Sequence, residues 1–162
     1  MAEKSSLKEM KNQYEKLKLK YRLPDFHSLN MIFEVEKTDL YETEFLLRKM
    51  RKAVSEKTSE YLRFIEIIMN PNNSPIFFFH LIKKLSGEDM EKLAKIYQDL
   101  SQFEIEAILL DLDYSEEKEA EFIKKIYSHF NSDIKKELLE IFRKFSNNKK
   151  DDKKEDNKTY FG

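Results

Sequence analysis

"DLYETEFLLRKMRKAVSEKTSEYLRFIEIIM", residues 39–69, decides the fold. Leu40, Leu47, Val54, Tyr61 and Ile68 recur every seven positions, and Met50 and Phe64 hold a second position of the same heptad. That is the spacing of a helix seam. It predicts one long helix from about Asp39, capped by Thr38 or Asp39, to about Met69. Thirty helical residues rise about 45 Å, more than the roughly 30 Å across a compact domain of this size. The helix therefore either projects, with the first helix packed along it, or bends.

The flanking sequence repeats the pattern. Leu7, Met10, Tyr14, Leu17 and Tyr21 form one apolar stripe, with Lys8, Lys11, Lys16, Lys18 and Lys20 off it. "RLPDFHSL" breaks that helix at Pro24, and Asp25 caps a short helix carrying Phe26, Leu29, Met31, Ile32 and Phe33. "NPNNSP" (70–75) ends the long helix; Ser74 caps the next, with Pro75 in its first turn. Ser86 with Asp89 makes a capping box. It opens a helix through Met90, Leu93, Ile96, Tyr97 and Leu100, with a kink position at "SQFE" (101–104). Phe103, Ile105, Ile108, Leu109 and Leu112 extend its apolar pattern. Two more helices are expected, about Glu116 to Phe130 and Asp133 to Phe145, separated by "NSD".

Composition agrees with an all-α reading. Among 162 residues there are two glycines and three prolines, too few for a sheet protein with many tight turns. Charged residues make up 38 % of the chain, yet the formal net charge is −1, so any electrostatic role is local. With no cysteine, disulfides and thiolate chemistry are excluded, which fits a reducing compartment. The N-terminal stretch has no apolar core of a signal peptide. The longest apolar run, "PIFFFHLI", is far short of a membrane span. A soluble, cytoplasmic protein is expected. The segment 146–162 is polar low complexity, expected to be disordered and dispensable for folding.

"DLDYSEEKEAEF" (111–122) imitates a calcium loop. Asp111, Asp113 and Ser115 match the first three ligand positions, but Glu116 stands where the loop needs glycine and Phe122 where it needs a bidentate Glu. It reads instead as a helix start, with Asp113 or Ser115 as cap and Glu116 and Glu117 facing the positive end of the helix dipole. His27, His80 and His129 are scattered and lack the Glu-x-x-His pairing of di-iron bundles. No nucleophile elbow or Gly-rich phosphate loop is present. No catalytic, cofactor-binding or metal residue is assigned, and no cofactor is expected.

Two features remain as partner-binding candidates. Arg48, Lys49, Arg51 and Lys52 form a basic cluster in "RKMRK" that could hold phosphates. Glu44, Arg48, Lys52 and Glu56, stepping by four, read more simply as a solvated, internally paired face. In "PIFFFHLI", three successive phenylalanines turn by about 100° each and cannot share one face. Phe78 is expected on the core side, Phe79 on a flank and Phe77 least buried, so Phe77 is the candidate interface residue. Residues 1–22 and 48–57 are locally basic, whereas 104–121 holds eight acids and one lysine. The simplest arrangement has these regions face each other inside the fold.

"KLKLKYRLPDF", "FLLRKMRKAVSEK", "IMNPN" and "LDLDYSEEKEAEFIKKIY" together resemble a small all-helical family of uncharacterised archaeal proteins, over about residues 7–145. The resemblance implies an all-helical cytoplasmic protein and supplies no functional residues. The expected architecture is a single all-α domain, residues 1–145, of six to seven helices. In it a long helical hairpin, made by the first and long helices, is docked on a compact C-terminal bundle. The expected function is a non-enzymatic helical protein-interaction module, self-association included. The alternative is a nucleic-acid-associated protein that uses the basic hairpin.

Overall fold

The computed structural model describes residues 2–37, 44–70, 72 and 75–146, without the side chains of residues 2–6, 37 and 77. These residues form an all-α fold: α1 (Ala2–Tyr21), α2 (Phe26–Phe33), α3 (Leu46–Met69), α4 (Ile76–Ile82), α5 (Gly87–Leu112), α6 (Glu116–His129) and α7 (Lys135–Ser146). Among the described residues no helix is long and apolar enough to cross a membrane.

α1 stops where the sequence says it should, by a device proline alone does not predict. Arg22 takes the left-handed conformation (φ 57°), and the Leu23 N–H reaches back to the Lys18 carbonyl at 3.2 Å. That is the C-terminal motif usually built on glycine. The buried Tyr14 hydroxyl then donates to the Pro24 carbonyl at 2.7 Å, tying α1 to the connection. Asp25 caps α2 as expected, its carboxylate accepting from the His27 N–H at 3.1 Å.

The central helix is shorter than its sequence suggests. Phe45 sits at φ 55°, ψ 39°, which a right-handed helix cannot contain, so α3 begins at Leu46. The expected start and its caps, Thr38 and Asp39, lie outside the described residues. Phe45 is held in this costly conformation beside Tyr114, ring edge to face at 5.2 Å. The 24 residues of α3 span about 36 Å, and both ends are packed, with Leu46 and Leu47 buried at one and Ile65 and Ile68 at the other. Leu47, Met50, Val54 and Ile68 are buried, as the heptad spacing requires, and Tyr61 and Phe64 are half-buried.

The expected pairing of the first and long helices differs from the fold. α3 packs most heavily on α5 and then α6, while α1 lies chiefly on α2 and α6. The apolar faces of α5 and α6, with Leu93, Ile96, Leu100, Phe103, Phe122, Ile123 and Ile126 buried, cover α3 more fully than the single stripe of α1 can.

At two further junctions helical backbone continues. α5 runs unbroken through "SQFE", where Ser101 returns its hydroxyl to the Tyr97 carbonyl at 2.7 Å. The "NSD" separator does not break the chain into loop. Phe130–Ile134 continues α6 into α7 as π-helical backbone. Its ends, Phe130 and Ile134, are buried while Asn131, Ser132 and Asp133 face out. The extra residue in the turn carries both apolar ends to the core.

Ser86 and Asp89 form the expected capping box at the start of α5. The Asp89 carboxylate is buried and also receives Lys144 of α7 at 2.6 Å. Lys144, together with the Ser86 N–H and hydroxyl, outweighs burial and holds Asp89 down at about 2, against an ordinary 3.8. The stabilisation is present above about pH 4 and is lost as pH falls toward 2, because the unfolded chain takes up the proton first. Lys144→Met should raise the acid-unfolding midpoint and cost about 1–2 kcal/mol at pH 7, allowing for screening of the half-exposed lysine. Urea unfolding at pH 7 and pH 3 measures this. A loss unchanged at pH 3 would mean that only the lysine stem packs there.

Candidate functional site

The acidic stretch that opens α6 is a helix start. Ser115 is the cap, its hydroxyl accepting from the Lys118 N–H, and Glu116, Glu117 and Glu119 occupy the first turn. The segment gathers the basic regions around it. From α1, Lys20 reaches Glu116 at 3.0 Å and the Tyr21 hydroxyl donates to the same oxygen at 2.6 Å. From α3, Arg51 donates through Nε to Glu119 Oε2 at 2.9 Å and through Nη2 to Asp111 Oδ1. Arg48 approaches the same Asp111 carboxylate at 3.6 Å and lies over the Tyr114 ring. The two charged regions do face each other within the fold.

This geometry divides the basic cluster. Arg51 is fully buried between α3, α5 and α6 and is withdrawn from any surface set. Arg48 is half-buried against Asp111 and Tyr114. Lys49 is half-buried, and only Lys52 of the four stands exposed. Of the cluster that reads in sequence as a solvated, internally paired face, or alternatively as a phosphate site, Arg51 and Arg48 are engaged with acids inside the fold and Lys52 is exposed.

Glu119 is completely buried. Burial pushes its carboxyl above the ordinary carboxylate range against the pull of Arg51. Its Oε1 and the Nε of Arg48 have no hydrogen-bond partner among the described residues. Among those residues no cluster of three or more His, Asp or Glu side chains is placed to hold a metal ion.

The "PIFFFHLI" helix behaves partly as its spacing suggests. Phe78, expected on the core side, is only half-buried: its ring meets Phe64 edge to face at 5.9 Å and lines an open groove, while Leu81 is buried and Ile76 and Phe79 are exposed. The candidate side chain of Phe77 lies outside the described residues. Pro75, one position before the first helical residue, serves as N-cap, and Ser74 is likewise outside them.

The most conspicuous exposed apolar surface is elsewhere. Ile105, Ile108, Leu109 and Leu112 stand at i, i+3, i+4 and i+7 on α5, exposed by 60, 60, 59 and 81 %. At about 100° per residue they occupy the side of the helix opposite Phe103, Ala107 and Leu110, which are buried. The last turns of α5 are thus apolar on two opposed faces, and the fold uses one. Glu104 and Asp111, seven apart, border one edge of the outer stripe, and Glu106 and Asp113 border the other. These acids are positioned from within. Glu104 accepts from Ser59 of α3, Asp111 from Arg51, Glu106 from Lys125 of α6 at 2.7 Å, and Asp113 from Lys118.

In the sequence these four residues extend the apolar pattern of the helix without distinguishing its inner from its outer face. The signal was available: the two-sided apolarity noted for "PIFFFHLI" also holds for "FEIEAILLDL" (103–112).

The fold and this surface define an all-α protein with one helix apolar on both its inner and outer faces. Comparison with protein-family models, with curated proteins and with solved structures found no match to the chain. The resemblance to archaeal helical proteins rests on the quoted segments alone.

Proposed function

We propose that this protein is a non-enzymatic helical interaction module that receives an amphipathic helix of a partner protein on the outer face of α5. The observation that carries this reading is the exposed stripe Ile105, Ile108, Leu109 and Leu112. Four large apolar residues at i, i+3, i+4 and i+7 are the spacing through which one helix reads another. A contiguous exposed apolar patch on a soluble fold marks such a surface.

The edges select the partner. Glu104 and Asp111 on one side, and Glu106 and Asp113 on the other, lie in a segment of eight acids and one lysine. A partner helix with Lys or Arg bordering its apolar stripe meets the carboxylates of Glu104 and Asp111 on one edge, while Glu106 and Asp113 on the other are already paired with Lys125 and Lys118. A second copy of this chain carries no basic row along either border of this stripe to meet Glu104 and Asp111, which disfavours self-pairing through this face.

The test uses a fluorescein-labelled three-heptad helical peptide with Leu at the a and d positions and Lys or Arg at e and g. Anisotropy titration should show saturable binding that weakens with salt, as exposed charge pairs do. Ile108→Asp with Leu112→Asp should weaken it by about tenfold or more, roughly the 1.4 kcal/mol that one lost apolar anchor exceeds. A peptide with Glu at e and g should fail to bind. Equal binding to wild type and variant would overturn the reading. So would a wild-type dimer in light scattering that the variant abolishes.

A further inference from the structure

A second apolar feature lies away from α5. Phe64 of α3, Phe78 and Leu81 of α4, and Phe142 and Phe145 of α7 line an open groove of about 590 Å³, with Glu60 and Ser146 at its polar margin. Its walls are aromatic and mutually braced. Phe64 meets Phe142 edge to face at 5.1 Å, and Phe142 stacks on Phe145 at 6.1 Å. Beyond Tyr61 and Phe142 the surface continues into a smaller cleft of about 200 Å³, lined by Met31, Phe130 and Leu139 among others. Aromatic residues bury large area for few rotatable bonds and pair best offset or edge to face. A groove walled by them suits an aromatic occupant.

We infer that the occupant is this chain's own Tyr160–Phe161 pair, with residues 147–159 as a polar tether. Ser146, which lines the groove, is also the last described residue, so the sixteen residues that follow start at the groove itself. Residues 147–159 contain no apolar side chain, and their five lysines and four acids nearly cancel. Nothing in the tether competes for an apolar site. Tyr160 and Phe161 are the only apolar residues of the segment, and they are adjacent.

Length permits the contact. Tyr160 is fourteen positions beyond Ser146, and fourteen residues extend to at most about 50 Å. The whole of α7, twelve residues, spans about 18 Å. The pair can reach any part of the groove, at an effective concentration in the millimolar range. Lys158, two positions before Tyr160, would then stand near the margin that holds Glu60.

The experiment uses the full chain. The protein has no cysteine, so Asn157→Cys carries a single nitroxide label. Amide signals of residues 78–81 and 142–146 should be broadened by the label. Tyr160→Ala with Phe161→Ala, in the same labelled chain, should restore those at 78–81 and leave only the residues nearest the tether affected. Broadening that is unchanged by the alanine pair, or centred on another face, would overturn the inference. A mixture of labelled unlabelled-isotope chain with isotope-labelled, nitroxide-free chain separates the two sources of the contact. Broadening in that mixture would show docking onto a second copy and would equally overturn the inference.

Discussion

Arg51→Met will cost about 3–5 kcal/mol, far more than any other single charge on α3. The substitution keeps length and apolar volume, so packing is not the cause. Arg51 bridges Glu119 and Asp111 in the interior, and Glu119 is wholly buried with one carboxylate oxygen already unpartnered among the described residues. Removing the guanidinium leaves a buried carboxylate without compensation, the costly half of a broken buried pair. The pH dependence identifies the mechanism. Burial already raises Glu119, and loss of Arg51 raises it further. An acid whose folded value lies above its unfolded value contributes most below the unfolded value, and that contribution is lost as pH rises through the folded one. The deficit of Arg51→Met should therefore be largest at pH 7 and shrink toward pH 4.5. Adding Glu119→Leu should recover most of it at pH 7, since an apolar pair of similar volume replaces a buried ion pair at little or no cost. Urea unfolding of the three variants decides it. A loss below about 1 kcal/mol for Arg51→Met would mean that water reaches Glu119.

The place of Arg51 was written in the sequence, though not in the feature first noticed there. As a member of "RKMRK" it looks like one cation among four. By position it belongs to the row Leu47, Met50, Arg51, Val54 and Thr58, all of which are buried. A charge at a seam position calls for an acid from another helix, and 104–121 is the one segment rich enough to supply it. The caps at Asp25, Ser86 and Ser115 were equally legible, because capping is local chemistry of side chain and neighbouring backbone. The start of α3 was not. Phe45 takes a left-handed conformation that its own residue type disfavours, in a contact with Tyr114 some seventy positions away. The π-helical join at Phe130–Ile134 was hidden for a similar reason. "NSD" carries turn residues, and burial of the two flanking apolar residues overrides them.

Leu109 and Leu110 carry the sharpest contrast, and truncating them should give opposite results. Their immediate neighbours do not separate them, since both are leucines in the middle of "AILLDL", but the stripe Leu93, Ile96, Leu100 and Phe103, carried on by threes and fours, reaches Leu110 and not Leu109. Leu110 is 6 % exposed and belongs to the core with Phe103 and Ala107; Leu109 is 59 % exposed on the outer stripe. Leu110→Ala should cost about 2–5 kcal/mol, the loss of a buried side chain plus the cavity it leaves. Leu109→Ala should stay within about 0.5 kcal/mol, as surface substitutions do. Binding of the basic amphipathic peptide should invert the order. Leu109→Ala removes an anchor of the proposed face, whereas folded Leu110→Ala keeps that face intact. Urea midpoints and peptide titrations on the same two proteins therefore give a crossed pattern. Comparable stability losses would place Leu109 against the body, and the outer stripe would then be core. A stability contrast without the binding contrast would leave the stripe exposed but not used for a helix of this kind. The crossed result ties both faces of one helix to separate tasks, the inner one holding α3 and the outer one holding a partner.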